Sequence, residues 1–194
     1  ASNGPFDGQI KMANGESPKN IAIIHCVGSL DKEHKEYCSG ICCQSAFKFN
    51  HIIQDKLPDV KITHFYKELS VSGKEAYNLY SHVKKDPKTD LIRYKDIKDL
   101  NVKDKNGKAN LEYKDINNNA KEIDFDMAIL CSAVTAPNDT DKICELLEIS
   151  KHKTGFFEEM HSTLYSTESK IKGIYLAGSC IGPKAIQGAV NDGM

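Results

Sequence analysis

The sequence predicts an α/β protein built on a three-layer, Rossmann-like domain of nucleotide-binding type, in which a parallel sheet is joined by a β-hairpin layer. Three observations predict it. The first is "KNIAIIHCV" (Lys19–Val27), a short continuous apolar run that suits a parallel strand buried on both faces. The second is the order that follows, a helix-period segment and then the alternating run "VKITHFYKEL" (Val60–Leu69), which makes a βαβ start. The third is "KNGK" at Lys105–Lys108, a tight-turn signal between two strand-like runs.

The elements follow in order. From about Cys38 to Lys56, Ile41, Ala46, Phe49, Ile52 and Ile53 recur at helical spacing until "LPDVK" breaks the pattern, so this is the crossover helix. A second helix is predicted over Gly73–Lys85, ending before Pro87. "DLIRYKDIKDLNVKD", "KANLEYKD" and "KEIDFDMAILCSA" read as strands, the last apolar enough over Ile123–Ser132 to lie inside a sheet. After Pro137, "NDTDKICELLEI" reads as a short helix with an Asn or Asp cap. The apolar "IKGIYLAGS" is expected as a strand that leads through "GSCIGPKAIQGAV" into a last helix.

Composition excludes several classes. The 194 residues are 40% hydrophobic and 27% charged, enough for one or two ordinary cores. Lys plus Arg number 26 against 27 Asp plus Glu, and Arg93 is the one arginine, so nucleic acid is not an expected partner. No apolar run approaches the roughly 20 residues that cross a bilayer, and the polar opening carries no signal-peptide core, so no membrane span and a cytoplasmic location are expected. The chain opens without Met and stops at "AVNDGM" inside an unfinished helix pattern, which makes a piece of a larger protein the expectation.

The sharpest signal lies in "HCVGSLDKEHKEYCSGICC". Cys26 ends the first strand and Cys38, Cys42 and Cys43 follow 12, 16 and 17 positions later. Seven cysteines in a chain with no secretory mark disfavour a disulfide framework, and four thiolates are a ligand set for an iron-sulfur cluster or a zinc ion. A helix start stabilises anions and lowers thiolate pKa, which suits either centre. Adjacent cysteines diverge, which favours the larger cluster; the plain alternative is a set of buried thiols such as Cys131 and Cys144. The phosphate signature G-x-G-x-x-G is missing, since "HCVGS" offers only Gly28, so the nicotinamide cofactor of this fold is expected to be lost. The seven histidines show no H-E-x-x-H-type spacing; most read as surface or packing residues, with His25 placed to tune a cluster by hydrogen bonding.

With these residues in view, the chain resembles the A subunit of heterodisulfide reductase, a flavin and iron-sulfur protein of methanogens and several anaerobic bacteria. The segments that carry the resemblance are "IAIIHCVGSLDKEHKEYCSGICC", "GFFEEMHSTL" and "GIYLAGSCIGPKAI". The resemblance implies that Cys26, Cys38, Cys42 and Cys43 ligate a 4Fe-4S cluster. It also implies a thioredoxin reductase-like plan: residues 1–19 a flexible linker, 20–136 an inserted NAD(P)-binding-like domain carrying the cysteines, and 137–194 the C-terminal segment of a split FAD-binding domain. In that plan "GIYLAGS" ends at the flavin, with Gly178 and Ser179 toward its ribityl and phosphate region and Lys184, Ala185 and Ile186 at the isoalloxazine edge. Ser179 stands where thioredoxin reductases commonly have Asp, and Ala185 where this family commonly has Asp in "GPKDI". The N-terminal flavin strand and the ferredoxin-like cysteine repeats of the family are missing, so the chain alone is expected to bind FAD weakly and to be inactive by itself.

The function so implied is electron transfer between a flavin and a chain of clusters, serving methanogenesis through reduction of a CoM–CoB heterodisulfide or bifurcation to ferredoxin. Expected partners are the other heterodisulfide reductase subunits, hydrogenase- or formate dehydrogenase-type electron donors, and ferredoxin. Two alternatives stay open: a structural zinc-binding interaction domain, and a thiol-disulfide oxidoreductase using Cys42 with Cys43 or Cys38, weakened by the absence of C-x-x-C.

Overall fold

The computed structural model describes residues 6–194. The described chain divides into two compact units, one formed by the residues up to Glu36 with Cys42–Ser132, the other by Tyr37–Ile41 with Ala133–Met194.

The first unit is organised by β1 (Asn20–Val27), whose Ile21, Ala22, Ile23 and Ile24 are fully buried. The strand lies parallel between β2 (Lys61–Tyr66) and β7 (Met127–Ser132), with Ile21 opposite both Ile62 and Met127. β3 (Thr89–Arg93) completes a four-stranded parallel sheet in the order β3-β2-β1-β7. A strand flanked on both edges and covered on both faces has no wet side, which is why its sequence does not alternate.

On one face, Ile21 and Ile23 pack with Ala46 and Ile53 of α1 (Cys42–Lys56), beside α2 (Lys74–Lys85). On the other, Ala22, Ile24 and Phe65 meet Leu111, Tyr113 and Phe125 of an antiparallel sheet formed by β4 (Asn101–Lys105), β5 (Lys108–Lys114) and β6 (Ala120–Phe125). Phe65 sits edge-on to Tyr113 at 5.0 Å and to Phe125 at 5.7 Å, and burying such a ring contributes about 1.5–3 kcal/mol. These are the three layers the sequence predicts. The hairpin turn also forms where expected: Asn106 and Gly107 both take positive φ, 58° and 78°, as the tightest right-twisted hairpin requires.

Several expectations are corrected. The crossover helix begins at Cys42 rather than near Cys38, because Gly40 at φ 70° breaks the backbone before it. "DLIRYKDIKDLNVKD" is not one strand; β3 ends at Arg93, a 3-10 turn spans Ile97–Asp99 with Asp96 accepting from Lys98 N–H, and β4 then enters the other sheet. "KEIDFDMAILCSA" is likewise split. Asp126 separates β6 from β7, and its carboxylate accepts from the N–H groups of Lys19 (2.8 Å) and Asn20 (3.0 Å), pinning the start of β1. β7 is an edge strand, not an interior one, and its Leu130 is 55% exposed.

The second unit holds α3 (Thr140–Leu147) and α4 (Ile186–Asp192). Asp139 takes the cap position of α3 without a side-chain capping bond; Thr140 donates its hydroxyl to Pro137 O instead. "IKGIYLAGS" forms no strand. Its backbone makes only local bonds such as Leu176 N–H to Thr167 O, with one isolated bridge between Glu168 and Tyr175, and an extended segment becomes a strand only beside a partner. Of the 1–19 segment, residues 1–5 lie outside the described residues, while Ile10 packs against the α1-side core.

Candidate functional site

The candidate site begins at the C-terminal end of the parallel sheet, where β1 gives way to loop. Ile24 pairs with Leu130 and Val27 with Ser132, so a bulge sets His25 and Cys26 against a single residue of β7. Cys26 has φ 61°, Gly28 φ 74° and Leu30 φ 54°, three left-handed residues in five, a conformation that costs energy at Cys26 and Leu30. The bulge turns Cys26 out of the strand's alternation, and its Sγ lies 3.5 Å from Glu68 O, to which it donates.

Cys42 and Cys43 open α1. Cys43 is buried and accepts from Ser70 N–H at 3.5 Å; Cys42 is only half-buried. A hydrogen bond donated by Cys43 lowers the Cys42 pKa to about 7, and the same bond with burial pushes Cys43 up. The more solvated thiol carries the charge, and its buried neighbour keeps the proton. Cys43 also feels the charge of Cys26, so these three predicted thiols share one electrostatic neighbourhood.

Cys38 belongs to the second unit. Its exposed Sγ accepts from Gly40 N–H at 3.3 Å, and its segment is stitched to residue 134 by Tyr37 Oη–H to Val134 O (2.8 Å) and Val134 N–H to Ser39 Oγ (2.9 Å). A cleft of about 250 Å³ in this unit is lined by Tyr37, Cys38, His152, Phe156, Gly182 and Pro183 among others. Among the described residues no group of three or more His, Cys, Asp or Glu side chains is drawn close enough to hold a metal ion, and no disulfide forms. The donor chemistry suits a thiolate-ligated cluster; the structure supplies the donors without a closed coordination sphere.

The flavin-type turn is compact. Gly178, at φ 72°, opens a 3-10 turn over Gly178–Cys180, and a Cβ there would stand 3.5 Å from Ala189 Cβ. Gly178 N–H donates to Asp192 Oδ2 at 2.9 Å and Lys184 pairs with the same carboxylate, which holds Asp192 below the usual carboxylate range. The positive φ is what calls for glycine here, and Asp192 engages the polar groups of the turn. Ser179 lies within the 3-10 turn, Ala185 caps α4, and Ile186 is 85% exposed.

Sequence reasoning missed a buried polar chain behind the cysteines. His25 and His64 are both fully buried, with Nε2 of the first 2.9 Å from Nδ1 of the second, and His64 Nε2 is 3.0 Å from Asn50 Oδ1. Asn50 donates to Gln54 Oε1 at 2.9 Å, and Gln54 donates to Asp86. A carboxylate only accepts, so Asp86 sets the direction of every link. His64 therefore carries its proton on Nε2 and His25 on Nε2, which leaves His25 Nδ1 bare, and that buried nitrogen has no hydrogen-bond partner among the described residues. Burial holds His25 down to about 4 and, with the charge of His25, His64 to about 3. Only the parallel register of β1 and β2, Ile23 opposite His64, brings these residues together, and no spacing rule announces it.

Fold and site together define a Rossmann-like α/β scaffold with a cysteine-rich turn and helix start at the C-terminal end of its first strand. Comparison supports the scaffold. The structure matches thioredoxin reductase of Lactococcus lactis with a TM-score of 0.57 at 16% identity, covering 95% of this chain and 50% of that one. It matches LpdA of Mycobacterium tuberculosis with a TM-score of 0.56 at 13% identity, covering 92% and 34%. No protein-family model matches the chain.

In sequence, the chain is homologous over nearly its whole length to the A subunit of heterodisulfide reductase. It is 34% identical over 191 residues to the A subunit of the H(2):CoB-CoM heterodisulfide,ferredoxin reductase of Methanothermobacter thermautotrophicus, covering 97% of this chain and 29% of the relative. It is 31% identical over 194 residues to an iron-sulfur A subunit, the second of two, of the CoB–CoM heterodisulfide reductase of Methanopyrus kandleri, covering 99% and 30%. It is 29% identical over 195 residues to the A subunit of the ferredoxin/F(420)H(2)-dependent CoB-CoM heterodisulfide reductase of Methanosarcina acetivorans, covering 99% and 24%. The chain thus spans 24–30% of the length of these relatives, all named as reductases. No helix among the described residues is long and apolar enough to cross a membrane.

Proposed function

We propose that this chain is the thiol-bearing, flavin-facing segment of an oxidoreductase of the heterodisulfide reductase A-subunit type, in which Cys26, Cys38, Cys42 and Cys43 ligate a 4Fe-4S cluster that exchanges single electrons with FAD. The observation that carries the reading is the junction of bulge and helix start. Cys26 is turned out of a buried strand by a positive φ, Cys42 is poised as a thiolate by Cys43, and both stand where this fold otherwise receives a phosphate. Support also comes from the relative named as an iron-sulfur subunit.

A cluster would supply one-electron chemistry and FAD the exchange of electron pairs for single electrons. The chain's own residues hold and shield. Phe47 and Val83 pack around Cys43 and Cys42, Cys43 and Ser70 fix the sulfurs by hydrogen bonds, and the Asp86-to-His25 chain locks the ring beside Cys26. Gly178, Ser179, Lys184, Ala185 and Ile186 would meet the flavin, with Asp192 positioning Lys184. Within the second unit, Cys38 and Gly182–Pro183 line one cleft, which supports a place for that thiol near the flavin turn. The electron partners we propose are ferredoxin, the heterodisulfide-reducing subunits and a hydrogenase- or formate dehydrogenase-type donor, in a soluble cytoplasmic assembly.

The test is anaerobic purification and reconstitution, with iron, sulfide and zinc counted per chain in wild type and Cys42→Ala. About four irons and a broad visible band, both lost in Cys42→Ala, support the cluster. One tightly held zinc and no band would replace it with a structural site. A reversible Cys42 disulfide without metal would favour thiol-disulfide chemistry, for which the lowered Cys42 pKa is the one supporting observation.

A further inference from the structure

We propose that the open edge of the parallel sheet is a self-association surface: β7 of one chain pairs antiparallel with β7 of a second copy, and the two α1 helices meet above the seam. None of the four predicted ligands lies on this surface, and the association needs no metal.

The two edges of the sheet are finished differently. β3, at one edge, carries Asp90 and Arg93, both exposed, and charges on an edge strand deter a second strand from pairing. β7, at the other, reads "MAILCS", with neither a charge nor a proline to blunt it. It pairs with β1 alone, and among the described residues no other backbone bond reaches Met127–Ser132. An edge strand presents a row of unpaired N–H and C=O groups, and the group that satisfies such a row in full is another strand. A neutral strand of six residues matches a copy of itself in length and charge.

The helix beside this edge is left open in the same direction. Ala46 and Ile53 of α1 share one core with Ile21 and Ile23 of β1 and with Met127 and Ile129 of β7, so the helix straddles both strands. Phe49 and Ile52 of α1, 46% and 40% exposed, face a cleft of about 410 Å³ that Met127 and Ile129 also line. A two-fold axis normal to the sheet keeps both α1 helices on one face and runs them antiparallel. Strands lie about 4.8 Å apart and each helix sits about half that spacing inside β7, so the two axes lie about 10 Å apart, the distance at which packed helices touch. Same-face parity then sets Leu130 opposite the second copy's Leu130, and Phe49 comes beside its Ile52. Charge agrees with this arrangement. Lys48 precedes the apolar pair and Asp55 follows it, both exposed, so an antiparallel copy brings each Lys48 toward the other's Asp55.

The test is sedimentation equilibrium of the whole chain across concentration at low ionic strength, with far-UV circular dichroism to verify that each variant folds. Wild type is expected to rise from the mass of one chain to that of two, with a dissociation constant on the order of 10–100 µM, as suits a seam at the small end of specific interfaces. Phe49→Ser combined with Ile52→Ser should weaken association at least about 20-fold. Lys48→Glu and Asp55→Lys should each weaken it about 3-fold, and the two together should return it to within about 2-fold of wild type, because the swapped pair regains opposite signs. Hydrogen exchange in Met127–Ser132 should slow as the dimer forms. A wild type that stays a single chain up to about 1 mM overturns the proposal and leaves the edge to a strand of a different polypeptide. A dimer that leaves exchange in β7 unchanged also overturns it, as does one whose affinity neither the serine pair nor the charge swaps alter.

Discussion

The two units handle apolar surface in opposite ways. The first buries whole strands: Ile21, Ile23, Ile24, Phe47, Phe65 and Leu111 are all sealed, and three layers share the load. The second buries Ile149, Phe156 and Leu176 while showing Leu146, Leu164, Tyr175 and Ile186 at 71–85% exposure. A segment with that balance cannot offset its own conformational entropy by burial alone, whereas the first unit can. The contrast teaches that a layered sheet unit seals its apolar side chains while a stretch poor in regular elements leaves many of its own in view, in a chain whose relatives are more than three times as long.

The strongest way to break this comparison is a core truncation in the first unit. Phe47→Ala removes a fully buried ring that touches His25, His64 and Tyr80, and should cost about 3–5 kcal/mol in urea-unfolding experiments. A loss under about 1 kcal/mol would mean that the core of the first unit is not close-packed around Phe47.

Acid sharpens the same contrast. His25 and His64 are held neutral, far below the ordinary histidine value of about 6.5, so the unfolded chain binds protons that the folded one refuses. Their stabilisation is present above pH ~6.5 and is lost as pH falls toward about 4, at about 1.4 kcal/mol per pH unit for each histidine. Metal-free protein should lose urea resistance steadily over that window, and His64→Gln should flatten the slope by about half. An unchanged slope in the variant would show that the pair is not buried.

Smaller effects follow. Asp126→Ala strips two N–H groups at the start of β1 of their acceptor and should cost about 1–3 kcal/mol, with hydrogen exchange quickened at Lys19 and Asn20. Leu164→Ser, at a side chain 71% exposed, should change stability by no more than about 0.5 kcal/mol and raise the solubility of the chain. A large loss there would show that the second unit has a core of its own.

Much of the first unit was legible because its elements obey local rules. A sealed strand reads as an unbroken apolar run, α1 as a helix period, and Asn106–Gly107 as the turn that only left-handed residues make. Reading failed where a tertiary bond cut a pattern. Asp126 looks like one more polar residue of a strand, yet its carboxylate caps β1 and sends the chain from one sheet to another. "GIYLAGS" has strand composition but no neighbour to pair with among the described residues beyond an isolated bridge. At the site, spacing marked the four cysteines as a metal-competent group; the structure places Cys26, Cys42 and Cys43 in one unit and Cys38 in the other.

By itself, then, the sequence determined the sealed first strand, the crossover helix and the hairpin turn of the first unit, and that four cysteines crowd where G-x-G-x-x-G is missing, because periodicity and residue spacing are local quantities. Only the tertiary structure decided that His25 meets His64, that a bulge sets Cys26 against β7, and that Cys43 is buried where Cys42 is half-buried. Those facts depend on register between strands distant in sequence and on burial, and a one-dimensional pattern contains neither.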